Sequence, residues 1–319
     1  MTPASQLRTL IAWACLLEVR APKPGNVHPE ARFDDLDWGD FVRSAHAIAP
    51  VLATAAERGV GAAVRDAVAT TRQVAPSNTN LGIVLLLAPL AAAAARGPLR
   101  EQLEPVLAGL SQHDARLVYE AIRLAQPGGL GTAPEGDVAA IPPGTLREMM
   151  RLAAHRDSIA AEYAQSFPLT LDHGLPLLEA RWPGGLADPC EAIVGLQLEL
   201  LARVPDTLIA RKCGPAVSQE ATKRAREVLA RGWPVTPEGQ VECEQFDAWL
   251  RADGHRRNPG TTADLVASSL FAFLLSHPDR IEALPPGWFE ELAPTSPIAA
   301  RGRSEFSPVP PDCREPSSN

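Results

Sequence analysis

PSNTNLGIVLLLAPLAAAAAR, residues 76–96, joins a short polar knot directly to an unbroken apolar run. Pro76 and Ser77 suit a helix entry, and Asn78, Thr79 or Asn80 can cap the first turn. Their side chains accept from backbone N–H groups that have no partner inside the helix. Leu81, Val84, Leu85 and Ala88 fall at helical spacing, and the remaining faces are also Ile, Leu and Ala. The pattern therefore predicts a helix enclosed by other helices on all sides. It is too short for a membrane span, which takes about 20 apolar residues, and it is interrupted by Pro89 and ended by Arg96. Gly82, one turn in, removes a side chain where a neighbouring helix or a ligand comes close. A capped core helix accounts for the stretch by itself. Two Asn around a Thr at a helix N-terminus also make an anion site, with donors aimed outward and a positive dipole end behind them.

The rest of the chain supplies the helices such a centre needs. Helical patterns run over residues 7–20, 40–58, 60–74, 99–110, 113–125, 145–167, 189–203, 206–212, 216–231 and 261–275, with no strand alternation and no internal repeat. The expected fold is all-α: one multi-helix catalytic domain over residues 1–283, followed by a Pro/Ser-rich tail, residues 284–319, that is partly disordered. PGGLGTAPEGDVAAIPPG, residues 127–144, is a loop long enough to cover a site. Its glycines do not follow a strand, so they are no dinucleotide fingerprint.

Composition excludes several classes. Of 319 residues 45% are hydrophobic, enough for a large core, and 30 Lys and Arg against 38 Asp and Glu leave a net charge of −8. Such a chain is not expected to bind nucleic acid or an anionic membrane, and any polyanion must be held locally. The five cysteines, Cys15, Cys190, Cys213, Cys243 and Cys313, are scattered without CxxC spacing, which fits a reducing, cytoplasmic setting. The apolar N-terminal stretch contains Trp13 and Glu18 and does not resemble a signal peptide.

Three further places carry chemistry. In PKPGNVH, residues 22–28, Lys23 between two prolines is expected to be extended, with its ammonium displayed. Gly25 and Asn26 supply a turn, His28 follows, and Glu18 lies one turn upstream. In the helix expected over 145–167, Asp157 sits on a face with Met150, Ala153, Ala154, Ala160 and Ala161, and calls for a cation, a capping N–H or a metal. Glu162 shares the opposite, solvated stripe with Arg151, His155 and Ser158. In residues 253–275, Asn258, Pro259 and Gly260 lead through Thr261 and Thr262 into an apolar helix, with Asp264 in its first turn. Thr261 and Asp264 fit an acidic capping box. Two such helix ends could hold a polyphosphate, provided Mg²⁺ separates it from the acid.

PKPGNVH, NTNLG, EYAQSFPLTLDHGLPLL and NPGTTADL, in this order and at these distances, resemble the triphosphoribosyl-dephospho-CoA synthase family over most of residues 7–276. The resemblance implies an all-helical enzyme that moves the ribose 5-triphosphate of ATP to the ribose 2′-hydroxyl of 3′-dephospho-CoA and releases adenine. By position it implicates Glu18, Lys23, Gly25, Asn78, Thr79, Gly82, Glu162, Pro259, Gly260, Asp264 and Leu265. The chain departs where the citrate lyase branch reads NTHKG, having Asn80 and Leu81 instead of His and Lys. NTNLG and NPGTTADL are closer to a divergent branch in organisms with methanopterin-type cofactors, so pentosyl transfer to such an acceptor stands beside dephospho-CoA.

Displacing adenine from C1′ passes through an oxocarbenium-like centre, which calls for a nearby carboxylate and a base for the incoming hydroxyl. Asp157, Glu162 and Asp264 are the expected acids, two as Mg²⁺ ligands and one as base, with Glu18 beside them. Asp157 and Glu162 lie about 140° apart around an ideal helix and do not share one ion there. Lys23, Arg211 and Lys212 are the expected phosphate cations, with N–H donors at the Asn78 and Thr261 helix ends. Gly25, Asn26, His28, Thr79, Asn80, Gly82, Asn258, Gly260 and Thr262 are expected around the nucleotide. The partners are then small-molecule nucleotides, with a homodimer an open option. Two other readings stand beside the transferase: a Mg²⁺-dependent helical hydrolase and a non-catalytic nucleotide-binding protein.

Overall fold

The computed structural model describes residues 1–75, 78–128, 131, 135–184, 189–285 and 287–288. The helix entry expected at Pro76 and Ser77, part of the 127–144 loop, Cys313 and most of the 284–319 tail lie outside them. The chain runs through α1 (Ala4–Arg20), α2 (Trp38–Leu52), α3 (Ala55–Arg58), α4 (Val60–Val74), α5 (Leu81–Arg96), α6 (Leu99–Ala108), α7 (Gln112–Ala125), α8 (Leu146–Ala153) and α9 (Ser158–Gln165). A π-helical turn (Leu169–Gly174) leads into α10 (Leu175–Arg181), α11 (Pro189–Arg203), α12 (Thr207–Cys213), α13 (Pro215–Ala230), α14 (Pro237–Arg251), α15 (Gly260–Ser276) and α16 (Asp279–Glu282). The described residues contain no strand, only an isolated bridge between His28 and Ala31.

The expected central helix is α5, buried from Leu81 to Ala94. It packs against α1, α2, α3, α4, α6, α9 and α15, so its all-round apolar sequence has a partner on every side. Each fully buried Leu, such as Leu86, Leu87 and Leu90, contributes roughly 1.5–3 kcal/mol relative to exposure. A charge at any of them would break this packing. Among the described residues no single helix is long and apolar enough to cross a membrane, and α5 with α6 is bent by 117°. Helix α15 is the second buried axis, packed on α1, α5 and the π-helical turn.

The continuous helix expected over 145–167 is two helices. Asp157 has extended backbone (φ −140°), and its Oδ1 accepts from the Ile159 and Ala160 amides at 2.9 and 3.1 Å. This cap competes with helix continuation and starts α9 afresh, so Asp157 lies on no helix face. Helix α9 ends where Ser166 and Phe167 adopt left-handed φ of 62° and 65° before Pro168. The expected Thr261–Asp264 capping box is also absent. Pro259 stands at the N-cap of α15 without a side-chain cap, and the Thr262 amide donates instead to Asp206 Oδ2 at 2.8 Å. Where composition marks the tail, Leu284 and Trp288 pack into the core, with the Arg20 guanidinium 5.2 Å from the Trp288 ring centre. Cys15, Cys190, Cys213 and Cys243 form no disulfide.

Candidate active site

The late turns of α1, the N-terminal ends of α5, α9 and α15, and the last turns of α12 converge on a cavity of about 730 Å³. That size suits a small-molecule ligand, for which sites run about 300–1,000 Å³. Glu18, Asn26, Asn78, Thr79, Asn80, Gly82, Asp157, Arg211, Lys212, Asn258, Gly260, Thr261 and Asp264 all line it. Lys23, Gly25, His28, Glu162 and Thr262 do not.

Asp264 is the chemically exposed group of the wall. Among the described residues no group donates to its carboxylate. Burial above all, then the nearby Glu18, Asp206 and Asp157 carboxylates, raise its pKa well above the usual range, with Arg211 a partial offset. Opposite it stands Gly82. A Cβ there would lie 1.9 Å from Asp264 Oδ2 and 2.7 Å from Ile159 Cδ1, so only glycine lets α5 and α15 close to this distance.

The PKPGN turn supports this centre from behind. Lys23 is fully buried, its Nζ 2.9 Å from Glu18 Oε1, and it also donates to the Glu18 and Ala21 carbonyls. The displayed phosphate cation expected from the sequence is therefore corrected. Its ammonium turns back onto the C-terminal carbonyls of α1, where the helix leaves acceptors free and favours positive charge. Gly25, with φ of 77°, donates its amide to Asp247 Oδ1 at 2.7 Å, and a Cβ on it would lie 2.9 Å from both Leu250 and Pro259. Arg251 joins Asp247 to the Asn26 carbonyl, and Gln197 Nε2 donates to the Pro24 carbonyl and Asn26 Oδ1. The first motif is thus pressed against the NPG of the last. His28 is half-buried beside Arg251 and Lys23, and burial followed by those charges lowers its pKa.

At α5, Asn80 stands at the N-cap without a side-chain cap, and Asn78, two residues before it, accepts through Oδ1 from the Asn80 and Leu81 amides at 3.3 and 3.0 Å. Thr79 donates to Ser44 Oγ at 2.8 Å, and Asn80 Oδ1 accepts from Thr71 at 3.1 Å. Asn80 Nδ2 is buried with no partner among the described residues. On the facing wall Arg211 Nη1 reaches Asp157 Oδ2 at 2.7 Å, and Lys212 Nζ donates to Asn258 Oδ1 at 3.2 Å. Asp157 is only half-buried and already paired with a guanidinium and two amides. Burial above all lowers the Lys212 pKa. Thr207 donates to Thr261 at 3.1 Å, and a Cβ on Gly260 would lie 2.5 Å from Leu208 Cδ2.

Glu162 is buried away from the wall, not on a solvated stripe. Its two oxygens accept from the Leu169 and Thr170 amides, both at 2.9 Å, and clasp the start of the π-helical turn. Residues missed in the sequence include Asp206, which accepts from the Leu208 and Ile209 amides through Oδ1 and from Thr262 through Oδ2, tying α12 to α15. An Asp directly before a helical run is a cap signal and could have found it. Asp247, Gln197 and Ser44 gave no local signal, nor did the wall residues Phe33, Tyr119, Met149, Met150, Arg156 and His255. Among the described residues no three His, Cys, Asp or Glu converge to hold a metal.

The family model described as ATP:dephospho-CoA triphosphoribosyl transferase, CitG, matches residues 4–283. A Pseudomonas aeruginosa PAO1 protein named probable 2-(5″-triphosphoribosyl)-3′-dephosphocoenzyme-A synthase is 29% identical over 215 residues, 67% of this chain and 64% of its own. A Pseudomonas putida protein of the same name is 28% identical over 136 residues, 42% of this chain and 47% of its own. The chain thus spans about half to two thirds of these curated relatives. A crystal structure of an Archaeoglobus fulgidus protein assigned as a triphosphoribosyl-dephospho-CoA synthase superposes with a TM-score of 0.57 at 29% identity, covering 72% of this chain and 96% of that one.

Proposed function

Because this chain belongs to the ATP:dephospho-CoA triphosphoribosyl transferase family, we propose that it moves the ribose 5-triphosphate of ATP to the ribose 2′-hydroxyl of 3′-dephospho-CoA, releasing adenine in the cytoplasm. The observation that carries this reading is Asp264, a carboxylate without a donor among the described residues, on the wall of a cavity that also holds cations and amide donors. The C1′–N9 bond breaks with its electron pair leaving on adenine, and the acceptor oxygen bonds to C1′. The hydroxyl proton is lost to a carboxylate, and adenine leaves carrying one proton. Asp264 faces the positive charge that develops at C1′, and Glu18, held in place by buried Lys23, is a further acid on the same wall. Arg211, Lys212 and the α5 and α15 amide ends hold the triphosphate, taking over from the His and Lys that the NTHKG pattern would supply.

The residues fit Mg²⁺ in its usual mode, in which one or two carboxylates and the substrate phosphates bind a cation that keeps several waters. Asp264 would hold it and it would neutralise triphosphate charge when bound, whereas both Asp157 oxygens are already taken by Arg211 and two main-chain amides. Glu162, with both oxygens occupied by amides, is not among its ligands in this reading.

The test measures adenine from ATP and Mg²⁺ with and without 3′-dephospho-CoA. Release only with the acceptor, abolished by excess EDTA, is expected. Release without it would mean a hydrolase, and no release with any acceptor would mean a binding protein.

A further inference from the structure

Two cavity residues have no part in the chemistry above. Phe33 and His255 both line the wall, and their rings are in contact, centroids 4.2 Å apart and tilted by 32°. The ring pairs Tyr163 with Phe167 and Trp182 with Phe273 join core residues instead. His255 holds left-handed backbone, φ 60°, an uncommon conformation for a residue with a side chain, and persists because its loop is tied down. Next to it the Arg257 guanidinium lies 4.6 Å from the Trp249 ring centre and donates to the Trp249 carbonyl at 2.9 Å. Phe33 sits in a turn closed by its own amide on the Leu36 carbonyl at 2.9 Å. Nδ1 of His255 is buried without a partner among the described residues, so the ring contact with Phe33, not a hydrogen bond at Nδ1, holds that side of the imidazole.

An aromatic pair at the edge of a polar cavity has the chemistry of a base platform, since every nucleobase has a π-face and stacks without needing a particular hydrogen bond. The neighbours agree. Lys212 and Arg256, whose Nη2 donates to the Lys212 carbonyl at 2.7 Å, bring positive charge suited to a phosphate. Asp34 and Asp35 also reach the wall, and their carboxylates suit an exocyclic amine or a ribose hydroxyl but repel phosphate. We infer that Phe33 and His255 form a purine-stacking platform, which seats the adenine of a nucleotide substrate while Lys212 and Arg256 take phosphate next to it. This rests on the transferase reading, under which both substrates carry adenine.

The experiment is calorimetry on the full chain with three probes taken singly: ATP with Mg²⁺, 3′-dephospho-CoA, and inorganic triphosphate with Mg²⁺. Phe33→Leu and His255→Ala should each weaken at least one adenine-bearing probe about tenfold, within the range for base stacking on an aromatic side chain. Triphosphate affinity and Tm should not change, and His255→Phe should restore most of the loss. A loss confined to ATP assigns the platform to the donor, and one confined to dephospho-CoA assigns it to the acceptor. Undiminished affinity for both, or an equal loss for triphosphate, overturns the inference. If the unmutated chain bound neither nucleotide, the transferase reading would fail with it, whereas normal binding unaffected by the variants would remove the platform alone.

Discussion

Glu162 is buried and Asp264 is half-buried at the cavity wall, and burial raises the pKa of each. Their surroundings are opposite. Each Glu162 oxygen accepts a main-chain N–H, and the residue lies off the cavity wall. Asp264 faces the cavity and Gly82, with no donor among the described residues. Burial alone therefore does not separate a structural carboxylate from a reactive one. An account of which donors satisfy it does.

The largest effect expected from this contrast is on turnover. Asp264→Asn should lower adenine release by about 10²–10³-fold, the range for a group that stabilises charge developing in the transition state, while Tm holds or rises because an underpaired acid is removed. A variant that melts early but turns over normally would place Asp264 with Glu162. For Glu162→Gln the order reverses. The amide can accept only one of the two N–H groups and turns a donor toward the other, which should cost about 1–3 kcal/mol of stability in urea unfolding. Activity per folded molecule should be retained. A stable but inactive Glu162→Gln would erase the distinction.

The smallest effect is in pH dependence. The folded pKa of Asp264 lies above its unfolded value, so below the usual carboxylate range both states are protonated and its contribution is fully present. That contribution is lost as pH rises from there through the raised folded value. The Tm advantage of Asp264→Asn over the unmutated chain should therefore grow from acid to neutral pH. A flat difference would mean that the ionised carboxylate has found a partner.

The sequence was informative where the signal is local. The apolar run of α5, the Asn78 acceptor at its start and the bounds of α4 and α11 follow from periodicity and end signals, and most of the polar residues of the first, second and last motifs meet on one cavity wall. It misled where a tertiary partner decided the outcome. Nothing local to Lys23 says which way the turn faces, because its acceptors are α1 carbonyls and Glu18. Asp157 is a possible cap, but Ala153, Ala154, Ala160 and Ala161 let helical spacing run through it, so periodicity did not reveal the break before α9. Thr261 and Asp264 match a capping pattern, yet Asp206, 56 positions before Thr262, supplies the cap.

The Gly25 amide and Asp247 are 222 positions apart in a chain of 319 residues, so the hydrogen bond between them closes more than half of the polypeptide on itself. Loops of that length carry a large ordering entropy, and contacts that close them are slow to form. A nucleotide that needs this wall assembled binds the folded chain and not the unfolded one. At a free concentration of one hundred times Kd such a ligand adds about 2.7 kcal/mol to the resistance against unfolding. In a cell that degrades unfolded chains, the lifetime of this protein would then rise and fall with the supply of what it binds.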